Sequence, residues 1–203
     1  MFPLSTVLFP HAELPLHVFE PRYKTLVDDV LAGDGEFGVV LITAGSEVGG
    51  GDRRADVGTL VKVSMSAPFE DGRWLLVTKA IERIRVVEWL DDDPYPQAMV
   101  ERLESPEFVG PFDLLGRAAA VVRRIRMLLS ELDDGPCTSI EFDFGDDPTL
   151  ATWTACTMAP LGLLDSQHLL ECSDPAERLE MLIDHSTERI GDLERLLLDP
   201  DPR

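Results

Sequence analysis

Residues able to do covalent or metal chemistry are sparse in this chain and far apart along it. Three cysteines, Cys137, Cys156 and Cys172, form no close pair. Their spacing offers neither a disulfide framework nor a zinc site, and buried free thiols are expected. Four histidines, His11, His17, His168 and His185, are scattered with no H-E-x-x-H among them, so no metal site is expected. Glu141, Asp143, Asp146 and Asp147 superficially resemble a calcium loop. Phe142, Phe144 and Pro148 interrupt them and no bidentate Glu follows, which reads as a solvated acidic loop. Nucleophilic catalysis needs a Ser or Cys held by a positioned base, and neither a G-x-S-x-G elbow nor a Ser-x-x-Lys pair occurs. Gly49-Gly50-Gly51 leads into Asp52-Arg53-Arg54, without the lysine and hydroxyl of a phosphate loop or the strand-turn-helix order of a dinucleotide site. No catalytic residue, cofactor or metal is expected.

Charge narrows the partners further. The 203 residues include 18 Lys or Arg and 38 Asp or Glu, a formal net charge of −20. Non-specific nucleic-acid and anionic-membrane binders need a positive footprint, which this balance opposes. The basic cluster Arg117, Arg123, Arg124 and Arg126 falls on a helical stretch where adjacent arginines cannot share one buried stripe. It reads as a solvated flank paired with acids. No window holds the roughly 18 consecutive apolar residues of a spanning helix, and the opening lacks a basic segment before an apolar run. A cytoplasmic protein is the expectation, with no membrane partner.

The elements that must position any site change character near Ser105. Before it, Phe37–Ile42, Gly58–Val63, Trp74–Val77, Ile84–Trp89 and Ala98–Glu101 are short runs rich in β-branched residues, separated by turn signals such as Asp71-Gly72. One helix, from about Pro21 to Leu31, has Pro at its start and Gly33 after its end. After Ser105 the period becomes helical. Phe112, Leu115, Ala119, Val122, Ile125, Leu129 and Leu132 make one stripe, ended by Asp134-Gly135-Pro136. Shorter helices are expected at about Leu150–Ala159 and Ser166–Glu171. Asp174-Pro175-Ala176-Glu177 then opens a long last helix bearing Leu179, Ile183, Ser186, Ile190, Leu193 and Leu197 on one face. That seam would pack on the helix begun near Phe112, with a homodimer through the carboxy-terminal helix as the alternative. The fold class is α+β, with a β domain over 1–105 and a helical domain over 106–203.

The opening is the most informative stretch. Phe2-Pro3-Leu4, Val7-Leu8-Phe9-Pro10, Leu14-Pro15-Leu16 and Phe19-Glu20-Pro21-Arg22-Tyr23 resemble the start of the Lon protease amino-terminal, substrate-binding domain, especially its stand-alone bacterial members. The resemblance continues through Phe37–Leu41, Val57-Gly58-Thr59, Asp71-Gly72-Arg73-Trp74, Arg83–Val86 and Pro94-Tyr95-Pro96. It reaches Met158-Ala159-Pro160-Leu161, Gln167–Glu171 and Asp174–Leu179. What it implies is a PUA-like β pseudobarrel followed by a carboxy-terminal helical bundle. It also implies a role in recognising damaged or unfolded polypeptides, without the ATPase and Ser-Lys peptidase parts of Lon.

Segments combining Pro with large apolar residues cannot form central strands, because Pro lacks an amide donor and restricts its predecessor. They leave edges or grooves, where an extended peptide can add as a strand. The candidate polypeptide-binding residues are therefore Phe9, Pro10, Leu14, Leu16, Phe19 and Tyr23, although Phe2, Leu4, Phe9, Leu14, Leu16 and Phe19 would equally close a barrel core. The leading expectation is a non-enzymatic module that binds exposed apolar segments, with apolar surface gathered at one groove. An RNA-binding PUA-like protein is the alternative. It would need Arg53, Arg54, Lys62, Arg73, Lys79, Arg83 and Arg85 on one face with Trp74 or Trp89 exposed. A hydrolase with an unrecognised site is the remaining one.

Overall fold

The structure, a computed structural model, describes residues 1–45, 52–111, 113–132 and 144–198. Two compact units divide the chain, Met1–Ser105 and Pro106–Arg203.

The first unit is a curled mixed sheet with one helix: β1 (Phe2–Leu4), β2 (Glu13–Val18), α1 (Pro21–Ala32), β3 (Glu36–Ala44), β4 (Arg53–Pro68), β5 (Trp74–Trp89) and β6 (Ala98–Arg102). The strand order is β1-β3-β4-β5-β2, with β6 also on β5. The runs expected separately at Trp74–Val77 and Ile84–Trp89 are one 16-residue strand, because β4 is equally long and pairs along it. Register shifts in that ribbon, between Leu60 and Val61 and between Val63 and Met65, are the bulges that let a long pair bend. β5 then shares its other edge: β2 takes Trp74 to Lys79, and β6 takes Ile84 to Trp89. The Asp71-Gly72 turn joins β4 to β5, with Gly72 at φ 76° and the Asp71 carboxylate accepting from the Arg73 amide at 3.1 Å.

Burial follows from these pairings. Phe2, Leu4, Leu16, Val18, Phe37, Val61 and Leu76 meet Tyr23, Leu26 and Val27 of α1 in one apolar core. Two threonine hydroxyls tie the amino-terminal loop to the sheet, Thr59 donating to the Leu8 carbonyl at 2.5 Å and Thr78 to the Leu14 carbonyl at 3.0 Å. Arg83 is fully buried and donates to the Glu104 carbonyl at 2.7 Å.

In the second unit lie α2 (Leu114–Leu132), α3 (Pro148–Met158), α4 (Leu163–Glu171) and α5 (Pro175–Leu198). The buried stripe of α2 is Leu114, Ala118, Ala119, Val122, Ile125 and Leu128. It is therefore rotated from the expected one: Leu115 and Leu129 are half-buried, Leu132 is exposed, and Phe112 lies outside the described residues. The sequence offers Leu114-Leu115 and Leu128-Leu129 as adjacent pairs, and packing chooses between their members. Ile125 and Leu128 meet Leu193 with Ile190 and Leu197 beside them, so the α5 seam is occupied within the chain. Among the arginines, Arg124 pairs with Glu194 at 2.6 Å and Arg126 donates to the Met158 carbonyl at 3.1 Å.

Caps and a buried cation order the shorter helices. Asp147, expected in a solvated acidic loop, is exposed and also caps α3, its Oδ1 accepting from Thr149 and Leu150 amides at 2.8 and 3.2 Å. Asp174 caps α5 in the same way, accepting from Ala176 and Glu177 at 2.8 and 3.0 Å. Arg178 is 1% exposed, its guanidinium 3.4 Å from the centroid of the Trp153 ring. It donates to the Thr152 hydroxyl at 3.2 Å and to the Cys172 carbonyl at 3.1 Å, binding α3 to the start of α5.

Two substitutions test this packing. A Cβ on Gly58 would lie 2.2 Å from the Val39 carbonyl oxygen and 2.6 Å from Val40 Cγ1. Gly58→Val is thus expected to destabilise the chain by about 1–3 kcal/mol or more in urea unfolding, through overpacking against backbone. Arg178→Lys keeps the charge but loses the planar stack and the fork of donors. It is expected to cost about 3 kcal/mol in the same assay, as disruption of a buried, hydrogen-bonded cation does.

Candidate functional site

Both ends of the sheet path carry proline. β1 contains Pro3 and β2 contains Pro15, and among the described residues each of these strands pairs with one neighbour only, β3 and β5 respectively. Pro has no amide hydrogen to extend a ladder, so these strands belong at edges. Between them lies a cleft of about 200 Å³, lined from β1 by Phe2 and Leu4, from β2 by Leu16 and Val18, from the turn into α1 by Phe19 and from α1 by Tyr23.

Local structure fixes the walls. Glu20 precedes α1 in an extended conformation and Pro21 takes its first position, which turns the chain sharply beneath the cleft. Tyr23 is thereby buried, and its ring stacks on Phe2 with centroids 4.2 Å apart. Arg22 covers the same ring at 4.6 Å and pairs with Glu20 at 3.2 Å, giving the apolar wall a charged rim. Burial pushes the Tyr23 phenol up to about 12, so it stays protonated and polar without charge. Phe19 is 55% exposed at the mouth, the only lining phenylalanine left to solvent among the described residues.

The six residues singled out from sequence thus part company. Leu16, Phe19 and Tyr23 line the cleft. Phe9 and Pro10 are buried elsewhere, and Leu14 is half-buried against the core. Exposed apolar side chains are also not gathered at one groove. Met65 and Phe69 lie towards the β4–β5 turn, and Val87, Met99 and Val100 on β5 and β6.

The cations an RNA interface would use are differently placed. Arg83 is buried, while Lys62, Arg73 and Arg85 pair with Glu36, Asp71 and Glu101 at 3.5, 2.7 and 3.2 Å. Arg54 is held between Asp52 and Asp92 at 2.7 and 2.9 Å, its guanidinium 4.8 Å over Trp89. Trp74 and Trp89 are half-buried.

Thiol chemistry is similarly constrained. Cys156 is buried in α3, where loss of solvent pushes its thiol up to about 12. Cys172 is half-buried, also raised by burial, and its thiol donates to the Asp174 carbonyl at 3.4 Å. Cys137, Glu141 and Asp143 lie outside the described residues. One group escaped sequence reading: His168 and His185, 17 positions apart in the chain, come together with Asp165. The i, i+3 spacing of Asp165 and His168 was the only local signal for it.

The family model described as the ATP-dependent protease La (LON) substrate-binding domain matches residues 1–188. Lon protease of Syntrophus aciditrophicus is 26% identical over 193 residues, covering 90% of this chain and 24% of that protein. Lon protease of Escherichia coli K12 is 28% identical over 184 residues, covering 88% and 23%. The chain therefore spans about a quarter of the length of these curated relatives. Among solved structures, a Lon N-terminal domain protein from Xanthomonas campestris aligns with TM-score 0.67 and 30% identity, covering 90% of this chain and 95% of that one. The N-terminal domain of Mycobacterium avium complex Lon protease shares the fold at TM-score 0.58 and 19% identity, covering 92% and 97%. No helix among the described residues is long and apolar enough to cross a membrane.

Burial makes a direct prediction for the thiols. In the native protein at pH 8, Cys156 is expected to stay unmodified by Ellman's reagent and to react once the chain is unfolded in denaturant, as read by mass spectrometry of labelled peptides. Labelling of native Cys156 at the rate of a free thiol would contradict its placement.

Proposed function

The chain belongs to the ATP-dependent protease La (LON) substrate-binding domain family, and from that premise we propose that it is a non-enzymatic, cytoplasmic recognition module that takes an extended apolar polypeptide segment at the cleft between β1 and β2. The observation that carries this reading is the opening between two proline-bearing edge strands, with an apolar lining and a charged rim. Edge carbonyls and the amides on either side of Pro3 and Pro15 would supply hydrogen bonds that any sequence can satisfy, and alternate side chains of an added strand would seat among Leu16, Val18 and Phe19. Recognition of this kind reads exposure of backbone and apolar side chains together, which distinguishes an unfolded chain from a folded one. The RNA reading has less support, since five of its seven cations, Arg54, Lys62, Arg73, Arg83 and Arg85, are buried or paired with carboxylates, which leaves Arg53 and Lys79 as its exposed pair.

Phe19 is the residue to test, because its exposure lets it change without emptying the core. A fluorescently labelled, permanently unfolded polypeptide titrated with the protein should show saturable anisotropy that is little affected by salt. Phe19→Asp should weaken that binding roughly tenfold or more, since burying a phenylalanine contributes about 1.5–3 kcal/mol. Equal affinity of the variant, or no binding at tens of micromolar, would remove the cleft from the function. A matched RNA titration at low salt distinguishes the rival reading.

A further inference from the structure

The second unit holds a cluster that the cleft does not use. Asp165 and His168 stand one turn apart on α4, and His185 stands on α5. One ligand atom from each lies within 4.8 Å of the other two, and His185 Nδ1 is 3.7 Å from Asp165 Oδ1.

We propose that Asp165, His168 and His185 bind a divalent transition-metal ion, Zn2+ by preference, and that the ion clasps α4 to α5. Two imidazoles and one carboxylate without a thiolate are the borderline donors that suit zinc, cobalt(II) and nickel(II) rather than calcium or magnesium. A tetrahedral zinc ion with bonds of about 2.0–2.1 Å holds its donors roughly 3.3 Å apart. Small side-chain rotations close the observed separations to that value. His168 is exposed and free to make them, while Asp165 and His185 are half-buried and partly pre-positioned. Water completes the fourth position. The ion is also favoured by charge, since one carboxylate offsets half of its +2 and the chain around it carries a net −20.

The clasp has a mechanical consequence. Only Cys172–Asp174 link α4 to α5, and Arg178, which fixes that link, stands two turns before His185 on the same helix. A metal at His185 would hold the far part of α4 as Arg178 holds the near part. Binding to the folded state alone must then raise stability with free metal concentration.

The test is titration calorimetry of ZnCl2 into the full chain after EDTA treatment and dialysis. Thermal unfolding with and without zinc, and the visible spectrum of the Co2+ form, accompany it. One equivalent of Zn2+ is expected to bind and to raise the unfolding midpoint, and Co2+ loaded into the metal-free chain is expected to show the visible bands of a tetrahedral site and to lose them when Zn2+ displaces it. His168→Ala alters an exposed residue, so it should fold like the parent yet bind zinc at least about tenfold more weakly and lose the zinc-dependent shift. Asp165→Asn should weaken binding as well, whereas His17→Ala, in the first unit, should leave it unchanged. No binding below about 100 μM Zn2+, or undiminished binding by His168→Ala, would overturn the proposal.

Discussion

Two prolines decide the shape of the first unit. Pro3 and Pro15 sit in the strands at the two ends of the sheet, and neither nitrogen can donate a ladder hydrogen bond. A sheet of this curl, bent by bulges in its longest ribbon, would otherwise bring its ends together as a closed barrel. It stops short, and an apolar gap remains where the closing pair of strands would have met. The chain finishes the gap from outside with α1: Tyr23 reaches in to stack on Phe2, and the core is sealed without the sheet being closed. A pseudobarrel built this way keeps an opening between β1 and β2.

Helix caps and one buried cation have the equivalent place in the second unit. α3 and α4 are short, and short helices gain little from propensity alone. Asp147 and Asp174 satisfy free amides at two helix starts, and Arg178 gathers Trp153, Thr152 and the backbone before α5 around a single guanidinium. The segment from Asp174 to Leu179, which resembles the Lon family so closely, is thus accounted for by architecture. The acidic excess is partly absorbed the same way. Several carboxylates cap helices or pair with arginines a few residues off.

Much of this was legible in the linear chain, and the failures have identifiable causes. The change from strand to helix period, the Pro21 and Asp174 helix starts and the Asp71-Gly72 turn depend on local backbone chemistry, which acts within a few residues. The length of β5 was not legible, since the mixed stretch Thr78–Arg83 between its two apolar runs carries three charged residues and is held as strand by its pairing with β4. The face of α2 was not legible either. Adjacent leucines at 114–115 and 128–129 satisfy the helical period in two rotations, and only contact with Leu193 distinguishes them.

For the site, the opening segment alone marked proline and large apolar residues as a place where a sheet could not be completed. That property belongs to residue type and survives in any fold. Which of Phe9, Pro10, Leu14, Leu16, Phe19 and Tyr23 would face solvent was decided by the tertiary structure, because one turn at Pro21 sends Tyr23 inward and leaves Phe19 outward. The approach of His168 to His185 was decided there too, since it depends on how two helices lie against each other and on nothing that either segment carries alone.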